Sequence, residues 1–121
     1  MLKTALTHTS YAYENKVQSY ERLEFLGDSI LELISSQYLF ENYKELSEGE
    51  MTKVRASYVC ENANYCYAEG LNLENYILVG NGEGKDGLKK AIVADIFEAL
   101  MGAIYLDLGY ATVRRVILKV I

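Results

Sequence analysis

Apolar residues recur at helical spacing along almost the whole chain, and the strict alternation of a half-buried strand is absent. The clearest stretch runs from residue 20 to about 43, where Leu23, Leu26, Ile30, Leu33, Ile34 and Leu39 return to one face. Residues 1–8 read as the tail of a helix stopped by the polar cluster 7–10, and the polar stretch 11–19 reads as a loop. Ser47 with Glu50 three positions on has the form of a capping box, so a helix is predicted from there to about residue 69. Gly70 falls where a left-handed C-cap would stand. Residues 71–79 predict a short turn or helix, and the four glycines of GNGEGKDG, residues 80–87, predict a loop. A second long helix is predicted from 88 to about 106, with Gly109 ending it and a last helix over 110–121. The fold class is therefore all-α.

Composition narrows the class. At 121 residues, half of them apolar, the chain can bury one real core but not two, so residues 1–121 form a single domain. There is no proline, and no apolar run approaches the ~20 residues that crossing a bilayer requires. The N-terminus lacks the pattern of a signal peptide, so no membrane partner and a cytoplasmic location are expected. Cys60 and Cys66 lie six apart in a helical segment, leaving the helix roughly 120° from each other. That disfavours a disulfide or a metal clip and predicts reduced thiols, buried or half-buried. A net charge of −5 weighs against a bare electrostatic nucleic-acid binder. It does not weigh against an enzyme that holds cations in an acidic site.

The carboxylates carry the candidate chemistry. In ERLEFLGD, residues 21–28, Glu21, Glu24 and Asp28 are spaced three and four apart, which sets like charges on one helix face at a cost of a few tenths of a kcal/mol per pair. A solvated acidic stripe is the simplest reading of that segment alone. The stretch AIVADIFEALMGAIYL, residues 91–106, is less easily dismissed. Only Asp95 and Glu98 are charged in it, and apolar residues occur all round, which predicts a buried central helix. Carboxylates there need a partner, because an uncompensated charge in a core costs several kcal/mol or takes up a proton. Arg22, Lys53 or Arg55 from another helix could supply one. A divalent cation is the other solution. Glu24, Asp28, Asp95 and Glu98 offer oxygen ligands from two helices with no histidine or cysteine nearby, a set that selects Mg²⁺ or Mn²⁺ over zinc. Water held by such an ion can attack a phosphodiester, although spacing alone names no substrate.

The same residues resemble a known family. ERLEFLGDSILEL is similar to the signature of the ribonuclease III family, and ALTHTSY, SEGEMTKVRASYV and ADIFEALMGAIYLDLGY resemble its other segments in order and separation. The resemblance implies an all-helical bundle acting as a homodimer, with one metal-dependent site per subunit along a cleft that holds double-stranded RNA. It implies endonucleolytic cleavage to 5′-phosphate and 3′-hydroxyl ends with short 3′ overhangs, in RNA maturation including ribosomal RNA precursors. By position, Glu24, Asp28, Asp95 and Glu98 match the metal ligands, with Asp28 and Glu98 the acids on which catalysis leans. The implied ion is Mg²⁺, with Mn²⁺ able to substitute. Glu48 resembles an acid near the cleavage centre, Glu21 belongs to the signature with a structural or RNA-facing role, and Phe25 matches an aromatic that plugs a socket on the partner subunit.

Other features are absorbed without chemistry. Glu32 continues the acidic face and reads as solvated or salt-bridged. His8, the only histidine, reads as a hydrogen-bonded structural residue. The glycine-rich loop lacks the lysine and threonine of a phosphate-binding loop, so no nucleotide cofactor is expected, whereas Lys85, Lys89 or Lys90 could touch RNA. Relatives commonly carry further residues before ALTH, paired glycines before the later acids, and a C-terminal double-stranded-RNA-binding domain, so the whole of 1–121 corresponds to the catalytic domain. Two readings compete. The same fold serves as a non-catalytic RNA-binding component in some mitochondrial ribosomes, but loss of carboxylates would mark that state and all four are present. A di-iron bundle needs Glu-x-x-His pairs that a lone His8 cannot make.

Overall fold

The computed structural model describes residues 1–82 and 88–121. Among these residues seven α-helices follow in chain order: α1 (Leu2–Ala5), α2 (Thr9–Asn15), α3 (Glu21–Asn42), α4 (Glu48–Tyr58), α5 (Glu61–Gly70), α6 (Lys90–Leu108) and α7 (Tyr110–Val120), with a 3₁₀ turn over Leu73–Tyr76. Among the described residues there is no strand beyond an isolated bridge between Thr7 and Leu78, which ties the chain before α2 to the segment after the 3₁₀ turn.

The apolar character of 91–106 explains the architecture. A helix hydrophobic on every side is stable only when enclosed, and α6 is enclosed by α1, α3, α5 and α7. It buries Val93, Ala94, Ile96, Phe97, Ala99, Met101 and Ala103. From α3, Leu23, Ile30, Leu31 and Ile34 meet it. Each such side chain gains ~1.5–3 kcal/mol on leaving water. The two long helices touch backbone to backbone. A methyl group on Gly27 would lie 1.7 Å from the Glu98 carbonyl oxygen, and one on Gly102 would lie 2.5 Å from that of Leu23. Only glycine fits at that crossing, which brings the first turns of α3 against the residues of α6 that carry Asp95 and Glu98.

The long helices stand where periodicity puts them, and the Ser47 capping box is present, the Ser47 N–H donating to Glu50 Oε1 at 2.9 Å and the Glu50 N–H to Ser47 Oγ at 3.2 Å. Four expectations need correction. The stretch 11–19 is not all loop, because α2 covers Thr9–Asn15. Its start is capped by His8, whose Nδ1 accepts from the Ser10 N–H at 3.2 Å, and Lys16 ends it in a left-handed conformation. With Ala12 its one buried residue, α2 has no apolar period to read. The helix expected over 47–69 is two helices, broken where Val59 and Cys60 turn extended. No glycine or proline marks that break. It follows from packing, since α4 buries no residue while α5 must turn Asn64 and Ala68 toward α6.

Gly70 closes α5 without a left-handed cap, and the left-handed residue of that turn is Asn72, with φ 53°. Asparagine tolerates this region because its short polar side chain bonds locally. Gly109, with φ 89°, does end α6. Both cysteines are free and exposed rather than buried, since they lie on faces of the α5 segment turned away from the core. Lys85 and the rest of 83–87 lie outside the described residues, and so does most of the expected loop.

Candidate active site

Glu24 stands one turn into α3 with Asp28 a turn further, and Asp95 and Glu98 stand in the first half of α6. The glycine crossing brings the two sets together. One carboxylate oxygen each from Glu24, Asp95 and Glu98 lie within 4.8 Å of one another, all three residues half-buried. Asp28 is exposed at the rim and hydrogen-bonds the Glu98 carboxyl group.

Electrostatics record the strain of this arrangement. Burial, then the charge of Asp95 and a hydrogen bond to it, push the Glu24 carboxyl up to about 7. Burial, then contact with Asp28, push Glu98 up to about 8. Burial also raises Asp95, against the opposing effect of its hydrogen bond with Glu24. These shifts are what carboxylates do when they crowd without a counter-charge: protons are drawn in to replace one. The cationic partners that the sequence offered lie elsewhere. Arg55 donates to Ser36 Oγ at 2.9 Å, Lys53 is exposed, and Arg22 lines the concavity around Phe25. Among the described residues the ion pairs are Met1–Asp107 and Arg114–Glu41, neither of which touches the cluster. An oxygen-only donor set, half-buried and lacking protein cations, fits a hard divalent ion such as Mg²⁺ or Mn²⁺.

The remaining sequence candidates are placed differently. Glu21 is exposed and accepts from Ser19 Oγ at 3.0 Å, close enough for its charge to act on Glu24. Glu48 is the first residue of α4 and, within this chain, is not one of the acids that converge. Glu32 is exposed, outside the cluster, and His8 serves as the cap of α2. Phe25 projects from α3 with 81% of its surface exposed, beside a concavity of about 630 Å³ that includes Met1, Arg22, Leu26 and Leu106.

Two neighbours of the cluster escaped the sequence reading. Tyr20, four residues before Glu24, is buried with its hydroxyl in the field of Asp95, Glu24 and Glu21. The spacing of four was a usable signal. Glu61, the first residue of α5, adds negative charge at Asp95 from a third helix, and nothing in the sequence pointed to it.

Known proteins resemble the chain in sequence and in fold. Residues 1–121 match the family described as Ribonuclease-III-like. Ribonuclease 3 of Syntrophomonas wolfei subsp. wolfei is 48% identical over 122 residues, covering 98% of this chain and 52% of that protein. Ribonuclease 3 of Clostridium tetani is 52% identical over 122 residues, again covering 98% of this chain and 52% of that protein. The chain thus spans about half the length of the curated relatives it matches. Among solved structures, the nuclease domain of ribonuclease III from Campylobacter jejuni superposes with a TM-score of 0.89 at 38% identity, over 98% of this chain and 82% of that one, and a region of that domain is involved in dimer formation. With matched sequence, fold and length of alignment in agreement, the chain belongs to the ribonuclease III family.

Proposed function

We propose that this domain is a metal-dependent endonuclease that hydrolyses double-stranded RNA, leaving 5′-phosphate and 3′-hydroxyl ends with short 3′ overhangs, and that it serves RNA maturation including ribosomal RNA precursors. The observation that carries the proposal is the convergence of Glu24, Asp95 and Glu98 from two crossing helices, with no ion pair to balance them among the described residues. Mg²⁺, or Mn²⁺ in its place, would supply positive charge against the phosphate and a water of lowered pKa as nucleophile. Glu24, Asp95 and Glu98 would hold it, with Asp28 closing the exposed side against Glu98. To hold such an ion, Glu24 and Glu98 would have to be ionised, without the protons that burial and crowding favour on them in its absence. Half-burial of the three acids limits the competing water and fixes their orientation.

The acidic balance of the chain is compatible with a polyanionic substrate. A-form RNA is recognised by shape through 2′-hydroxyl and phosphate contacts, with little demand for base readout. The functional unit is a homodimer in which Phe25 of each copy enters the concavity beside the other's Phe25. A two-fold interface uses one patch twice, and here ring and hollow belong to one patch. Incubation with a long RNA duplex and with its separated strands, resolved on a denaturing gel in Mg²⁺, tests the proposal. Short 5′-phosphorylated products from the duplex alone are expected. Binding without products would contradict it and favour the non-catalytic scaffold.

A further inference from the structure

We propose, on the reading of RNA as the substrate, that the hollow between the last turns of α3, α4 and α7 binds an unpaired nucleotide flanking the duplex. The base lies against tyrosine rings and the phosphate lies at Arg55.

The hollow has a volume of about 570 Å³, within the ~300–1,000 Å³ of pockets that hold small organic groups. Leu39 and Ile117 are buried and form its floor, whereas Tyr38, Tyr43 and Tyr58 are exposed at its rim. Two of the rings support each other, since Tyr38 and Tyr43 meet edge to face with centroids 6.1 Å apart. Tyr58 ends α4, where its carbonyl accepts from the Tyr67 hydroxyl at 2.8 Å. Arg55 supplies the charge. It is half-buried in the lining, and of its five N–H donors Nη1 bonds Ser36 Oγ at 2.9 Å. Among the described residues no carboxylate forms an ion pair with it, and Glu45, which also lines the hollow, is exposed and stands off. A guanidinium withdrawn from water without a counter-charge favours an anion beside it, and its fork of donors matches a phosphate.

Aromatic rings beside an arginine are the chemistry by which proteins hold single-stranded nucleic acid, because every base has a face to stack and every nucleotide a phosphate. A paired base is already stacked between its neighbours and cannot enter, so the hollow selects nucleotides outside the duplex. It also lies away from the acids. Tyr38 stands in the same helix as Glu24, ~21 Å further along the axis. A nucleotide tethered to a bound duplex is presented at high effective concentration, an advantage that a free anion of similar shape lacks.

The test compares kcat/KM in Mg²⁺ for one RNA duplex in three forms: blunt, with short unpaired tails, and with tails of abasic nucleotides. Wild type, Tyr58→Ala and Arg55→Gln are measured on each, with thermal melts of all three proteins. Tyr58→Ala removes an exposed ring, and Arg55→Gln removes the charge while keeping an amide donor for Ser36. In wild type the tailed duplex should be cut with kcat/KM ~10-fold above the blunt one, and the abasic tail should lose most of that gain. In both variants, melting as wild type does, the ratio of tailed to blunt should fall to near one. A wild-type ratio of one, an equal gain from the abasic tail, or a gain that persists in both variants overturns the nucleotide site and leaves duplex cleavage standing. Variants that melt well below wild type make these side chains part of the fold and overturn it as well. Failure of wild type to cut any of the three duplexes overturns the RNA reading itself, and the nucleotide site with it.

Discussion

At Glu98 burial, contact with Asp28 and the charges of Asp95 and Glu24 all favour the neutral acid. The consequence for stability has a definite sign. Glu98 and Glu24 have folded-state values, about 8 and about 7, above their ordinary 4.5, so the native protein binds more protons than the unfolded chain between those limits. Their favourable contribution is complete below the unfolded value and is lost as pH rises through the folded ones. In EDTA the melting temperature should therefore fall from about pH 5 to about pH 8, and Glu98→Gln, which cannot ionise, should fall less. Equal pH dependence in the two proteins would mean that Glu98 is not part of a crowded cluster. Asp95 and Glu98 were legible in the sequence because charge inside an apolar helical period is exceptional, whereas Glu24 and Asp28 gained meaning only beside that second pair and through the resemblance of ERLEFLGD. Glu61 was not, because only the packing of α5 against α6 brings its charge near Asp95.

The element on which the site depends is the crossing of α3 and α6, and Gly27 sets its distance. Alanine there brings a propensity gain of ~1 kcal/mol for the helix. Against it stands a methyl group 1.7 Å from a backbone carbonyl, which no side-chain rotation can relieve. Overpacking of this kind costs ~1–3 kcal/mol or more, so sterics win. Gly27→Ala should lower stability in a denaturant titration and weaken Mg²⁺ binding, because the helices that carry Glu24 and Glu98 are forced apart. A variant as stable as wild type with wild-type Mg²⁺ affinity would refute the close crossing. Elements with a long buried face were legible: α3 and α6 are each within two residues of their expected starts. Where burial is slight, as in α2, or where direction changes by packing alone, as between α4 and α5, the sequence holds no local record of the outcome.

For the whole molecule the open surface matters most. Phe25 is 81% exposed beside a hollow, and Leu33 and Phe40 on the same helix are exposed at 54% and 72%. A large exposed aromatic beside a hollow suits an interaction surface. Phe25→Ala should shift the protein toward monomer in sedimentation at several concentrations, with ~2 kcal/mol or more lost per ring in the interface. The monomer should stay folded, because a side chain so exposed adds little to its own core. A variant that remains dimeric but melts earlier would assign the ring to the fold rather than to a partner.

In the proposed function the crossing of α3 and α6 builds a cation site that cuts duplex RNA. Cleavage of a long RNA duplex by wild type and Glu98→Gln, each in Mg²⁺ and in EDTA, tests it most directly. Efficient cutting by wild type in Mg²⁺, none in EDTA, and a loss of orders of magnitude in a folded Glu98→Gln protein are expected. Cutting that persists in EDTA, or in Glu98→Gln at the wild-type rate, would contradict it.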